Sequence, residues 1–183
     1  ANEVVAQQPP SSHAARTIQF PLDRSLGILY TAPIEASKSD QFSWLSPEFE
    51  KLGFAQGSVS LPANSIVRLD VATGACSDLS PLSDIPPDSI QILYFNIGSD
   101  PTGQFKHIGS LTGLKYLIFR SCPIKDDGIL DLKKLKNLEY LSCSVNGYEK
   151  KGIGMTTVCL KLISKFNKLK YQNLRSKQVN DDG

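Results

Sequence analysis

The 183-residue sequence has no apolar run approaching the roughly 18 residues a membrane-crossing helix requires, which excludes such a span. It has only two histidines, His13 and His107, far apart in sequence. Its four cysteines, Cys76, Cys122, Cys143 and Cys159, form no C-x-x-C pair, so the usual zinc spacings are absent. No G-x-S-x-G elbow surrounds a serine, no D-x-D-x-D-G loop offers calcium ligands, and no glycine-rich loop is built for phosphate. Gly147, Gly152 and Gly154 fall instead in a polar stretch read as a loop. These absences lead us to expect no catalytic residues, no metal and no cofactor. The net charge of +2 does not announce a nucleic-acid binder, and none is expected. The plainest reading of the cysteines is small buried thiols, with pairing left open.

What is present is a sizeable apolar fraction, 40%, enough for a core and too much for a disordered chain. Charge is uneven. Residues 1–100 hold 5 Lys/Arg and 11 Asp/Glu, whereas residues 101–183 hold 15 and 7. Lys133, Lys134, Lys136, Lys161, Lys165 and Lys168 supply much of the excess and read best as a solvated face, though an acidic surface would also suit them. Residues 1–15 are polar, with prolines and serines, and read as a flexible leader. The Ala1 start favours an exported product, secreted, periplasmic or at the cell surface, with a cytoplasmic one as the alternative.

A repeat dominates the remainder. Units beginning at Ile66, Ile90, Leu114 and Leu138 are spaced by 24 residues, and one beginning at Leu169 follows after 31, with the surplus near 146–152. Their fourth positions are Leu69, Leu93, Leu117, Leu141 and Gln172; their sixth are Val71, Phe95, Phe119, Cys143 and Leu174. A second apolar set recurs at intervals of three: Phe105, Ile108, Leu111; Ile129, Leu132, Leu135; Leu160, Ile163, Phe166. Leu79, Leu82 and Ile85 are the equivalents in the first unit, closed by Pro86-Pro87. Such spacing predicts helices covering the strands.

The L-x-x-L-x-L pattern, with the Cys122–Ile129 turn CPIKDDGI, resembles leucine-rich repeat proteins, in particular the cysteine-containing subclass and planctomycete-type repeat arrays. The resemblance covers about residues 66–183. It implies an α/β fold: a short leucine-rich repeat solenoid with a parallel concave sheet and outer helices. Residues 64–183 would form the repeat domain. Residues 16–63 would form a small β-rich N-terminal cap, with strand-like patches at Ile18–Phe20, Leu26–Thr31 and Ser58–Leu61. Phe42–Leu52 could add a short helix or turn with Trp44, Phe49 and Leu52 inward. An independent ligand-binding β domain is the alternative for this block.

Strand alternation puts the first, fourth and sixth positions of each unit inward and the third, fifth and seventh outward. The outward columns contain Tyr94, Tyr116, Ile118, Arg120, Tyr140, Tyr171 and Arg175, which form the candidate partner-binding set. Tyrosine and arginine suit binding patches because each joins a large contact area to a polar handle. They also stabilise sheets without any partner. The resulting expectation is a non-enzymatic module that binds a protein or peptide ligand. The alternative is a spacer of a larger surface or secreted protein, suggested by the stop at Gly183 inside a repeated Asp-Asp-Gly turn. Asp126-Asp127 and Asp181-Asp182 read as helix N-caps rather than calcium ligands.

Overall fold

The structure, a computed structural model, describes residues 15–35, 48–120, 122, 126–144, 161 and 163–175. The strands among them are β1 (Arg16–Gln19), β2 (Gly27–Pro33), β3 (Glu50–Phe54), β4 (Ser58–Leu61), β5 (Ser65–Val71), β6 (Ile92–Phe95), β7 (Tyr116–Arg120), β8 (Tyr140–Ser144) and β9 (Tyr171–Arg175). Seven form one sheet in the order β3-β2-β5-β6-β7-β8-β9, and β1 pairs with β4 in a separate two-stranded ribbon. Strand β2 is antiparallel to both β3 and β5, whereas β5 through β9 run parallel. The sheet is therefore mixed.

The sequence repeat is realised as strand register. Arg68 pairs with Ile92, Ile92 with Tyr116, Tyr116 with Tyr140 and Tyr140 with Tyr171. The fourth-position leucines, Leu69, Leu93, Leu117 and Leu141, are all fully buried, as are Phe95, Phe119 and Cys143 at the sixth. Phe95 and Phe119 stack at 4.9 Å between centroids, and Phe105 packs on Phe119 at 5.7 Å. Polar side chains tie successive units together behind the strands. The Gln91 side-chain carbonyl accepts from the Val67 amide at 2.9 Å, and that of Gln104 from the Leu79 amide at 3.0 Å. Asn137 donates to the Thr112 carbonyl and accepts from Lys168.

The expected solenoid with outer helices is not what forms. The described residues are dominated by strands. Their helical pieces include α1 (Phe105–Ile108), α2 (Asp126–Asp131) and the 3-10 turns Thr73–Ala75, Ser80–Ser83 and Leu132–Lys134. An interval of three fits a 3-10 turn, with its three residues per turn, as well as a helix. Phe105, Ile108, Leu111, Leu132 and Leu135 are thus buried without long helices. Nor is the sheet a purely parallel one with the β-rich block set apart. Residues 16–63 contribute β2, which pairs with β5 over seven positions from Gly27↔Val71 to Pro33↔Ser65. That pairing extends β5 to Ser65, so Ile66 shares a face with Arg68 and Asp70, and Val67 takes its place in the core. Leu52 lies in β3, so the helical option for Phe42–Leu52 fails at its C-terminal end; Phe42 and Trp44 lie outside the described residues. So do the 1–14 leader, the 146–152 stretch, Cys159, Leu160 and Asp181-Asp182.

Two arginines fasten the N-terminal block to the first turn layer. Arg16 donates to the carbonyls of Asp88 and Ser89, each at 3.1 Å, and Arg24 pairs with Asp78. The Asp78 carboxyl is held down at about 2 by hydrogen bonds from the hydroxyl and amide of Ser80, with Arg24 adding to them. A carboxylate pKa depressed by folding stabilises the folded state above the ordinary value, 3.8, and loses that contribution as pH falls towards 2. A carboxyl-detected NMR titration should place the Asp78 midpoint near 2, and Ser80→Ala should move it up towards 3.8. A midpoint at the ordinary value in the unsubstituted protein would refute this.

Candidate functional site

Strand alternation in β5–β9 directs a second set of side chains to the face opposite the core, and the structure divides the candidate residues there into two groups. The central group is closed. Tyr94 is 8% and Ile118 3% exposed, and both cluster with Ile66 and Ile92. Ile34, just past β2, and Phe49, just before β3, pack against this cluster, as do Tyr116 and Tyr140. Tyr94 and Ile118 therefore serve as a second, smaller core rather than as contacts open to a partner.

The outer group stays accessible in part. Tyr116, Tyr140 and Tyr171 occupy one register row on three adjacent strands. Tyr116 and Tyr140 stack at 5.7 Å and 22°, and Tyr140 and Tyr171 follow at 6.4 Å and 42°. The first two rings are half-buried, and Tyr171 is 66% exposed. Stacking covers the rings of Tyr116 and Tyr140, and the terminal ring of Tyr171, tilted against Tyr140, is the most accessible. Arg120, at the end of β7, is exposed. Arg175 pairs with Ser144 in the strand register.

Charge flanks the tyrosine row. Glu139 lies between Lys170, at 2.8 Å, and Lys115, at 3.8 Å. Hydrogen bonding to Glu139 raises the Lys170 ammonium above its ordinary value. Burial, and then the Glu139 charge, raise the Tyr116 phenol, so it stays protonated. On β5 the Arg68 guanidinium grips Asp70 with two bonds, at 2.7 and 2.9 Å, and lies over the rings of Tyr30 at 4.4 Å and Phe49 at 5.4 Å. Nothing in the sequence pattern pointed to this cluster, because Tyr30 and Phe49 come from the non-repeating block.

The remaining chemistry is sparse. Among the described residues no group of three or more His, Cys, Asp or Glu could hold a metal. Cys76, Cys122 and Cys143 are buried. Desolvation pushes the Cys122 thiol up to about 12, which leaves it un-ionised and a poor nucleophile. One pair escaped the sequence reading: Ser83 Oγ lies 2.8 Å from His107 Nδ1. It is exposed, and among the described residues no carboxylate bonds His107 to orient it as a base. No described helix is long and apolar enough to cross a membrane.

Comparisons with protein-family models, with curated proteins and with solved structures find no match for this chain. What the fold and site define is a small strand-dominated α/β chain with an aromatic row on one face of a mixed sheet.

Proposed function

We propose that this chain is a non-enzymatic binding module that takes a protein or peptide segment on the tyrosine row. The supporting observation is the Tyr116–Tyr140–Tyr171 row, which ends in a ring 66% exposed. Tyrosines held in a row have little rotamer freedom left to lose, so contact with them carries a small entropic penalty. The free face of Tyr171 suits an aromatic, proline or aliphatic side chain. The exposed Arg120 suits a carboxylate, through a charge-assisted hydrogen bond. Tyr94 and Ile118 contribute by bracing the sheet from beneath Ile34 and Phe49.

The test is selection from a random-peptide display library, with counter-screening on a Tyr171→Ala/Arg120→Glu double variant. Both positions are exposed, so the variant should fold. Selected peptides should bind it at least about 30-fold more weakly, the effect of losing one anchoring residue worth about 2 kcal/mol. Peptides that bind both proteins equally, or no enrichment at all, would refute the reading.

A further inference from the structure

The two edges of the seven-stranded sheet differ in how they are guarded. Edge strand β3 carries Glu50 and Lys51, a register shift where it meets β2 between Leu29 and Tyr30, and Gly53 at φ +157°. Charge, irregularity and glycine are the usual defences against pairing with another chain. Edge strand β9, of sequence YQNLR, has none of them over its first four residues. It holds unbroken register with β8, and Tyr171, Gln172 and Asn173 are exposed.

The direction of its hydrogen bonds is also fixed. The Tyr171 amide donates to the Glu139 carbonyl on the β8 side. Alternation then turns the amide and carbonyl of Gln172 and Leu174 away from the sheet. Nothing among the described residues pairs with them. Beside the strand, Ile163, Phe166, Leu169 and Tyr171 line a groove of about 230 Å³.

We propose that β9 is a homodimer edge, two copies pairing antiparallel about a two-fold axis at Asn173. Two features of the strand favour a second copy as occupant. Centring on Asn173 sets the outward amide and carbonyl of Gln172 against those of Leu174 in the other copy, closing four backbone bonds. It opposes no like charges within the strand. Asn173 meets Asn173 as a non-hydrogen-bonded pair, where side chains come closest. The interface is the edge of β9; Tyr171, on the same strand, also ends the tyrosine row of the proposed peptide site.

Sedimentation equilibrium of the full chain should show a mass of 20.0 kDa when dilute. The mass should approach twice that over about 1–200 µM, since a five-residue edge is smaller than a standard interface. Asn173→Lys and Asn173→Asp each place two like charges across the axis and should weaken association by about tenfold or more. Mixed in equal amounts, the two variants should associate again. A wild-type protein monomeric across the range, an association indifferent to Asn173→Lys, or a mixture that stays monomeric would overturn the proposal. Both variants keep Tyr171 and Arg120, so loss of self-association in them and loss of peptide binding in Tyr171→Ala/Arg120→Glu are read separately.

Discussion

Replacing Phe119 with alanine should lower the melting temperature by about 10 °C, corresponding to a loss of about 3–5 kcal/mol. Phe119 is fully buried at the centre of the parallel strands. Its ring stacks on Phe95 at 4.9 Å and meets Phe105 at 5.7 Å, so one truncation removes contacts to a neighbouring strand and to the turn layer. Neighbours held by ladder hydrogen bonds cannot collapse into the vacated space, which puts the loss at the upper end for a core aromatic. Phe119→Leu keeps most of the volume and should lose about 1.5 kcal/mol or less. Thermal melts followed by circular dichroism decide the matter. A shift under about 3 °C for the alanine variant would mean that the site repacks and that the aromatic stack is not central to the core.

Gly27→Ala should be comparably severe for a different reason. Gly27 sits at the start of β2 with φ +151°, and a Cβ there would lie 2.0 Å from the Asp70 carbonyl oxygen, 2.9 Å from its carbon and 3.0 Å from the Ala72 nitrogen. All three are backbone atoms, so no side chain can move aside. The end of the β2–β5 pairing, Gly27↔Val71, must open, together with the Ala72 amide bond to the Leu26 carbonyl. Gly53 makes the internal control. It has a similar φ, +157°, but nothing within 4 Å of its Cβ position. Urea unfolding should show about 3 kcal/mol or more lost in Gly27→Ala against about 1 kcal/mol of backbone strain in Gly53→Ala. Equal midpoints would show that close packing at Gly27 is not what holds the N-terminal block to the sheet.

The repeat was legible because burial follows residue type wherever a strand is flanked on both sides. The columns headed by Leu69 and Val71 read through to Leu141 and Cys143, and the parallel register follows them. The solenoid with covering outer helices was wrongly read because two intervals of three span barely two turns: they fit the short α1 and α2 and the 3-10 turns that form as well as a covering helix. The mixed sheet was hidden because β2 meets β5 across more than 30 residues, in a block with no periodicity to align. The same block explains the partial failure at the site. Tyr94 and Ile118 sit where alternation puts them, off the core face. Ile34 and Phe49 then cover that face, and no pattern in their own surroundings says so. Ile66 was misassigned by one position for a related reason: pairing with β2 lengthens its strand. Tyr116, Tyr140 and Tyr171 were legible as a row, since equal spacing in sequence became equal register.

The unequal step between β8 and β9 has a consequence for how this sheet can vary. Tyr116 and Tyr140 are 24 residues apart, Tyr140 and Tyr171 are 31, and both pairs sit side by side in the ladder. The connections themselves are residues 121–139 and 145–170, and closing a flexible loop lengthened by that difference of seven adds only about 0.3 kcal/mol of chain entropy. Spacing across the aromatic row is set by the strands, and the added length itself costs little. Insertions and deletions can therefore accumulate in that interval, altering what lies beside the row while the row itself keeps its dimensions.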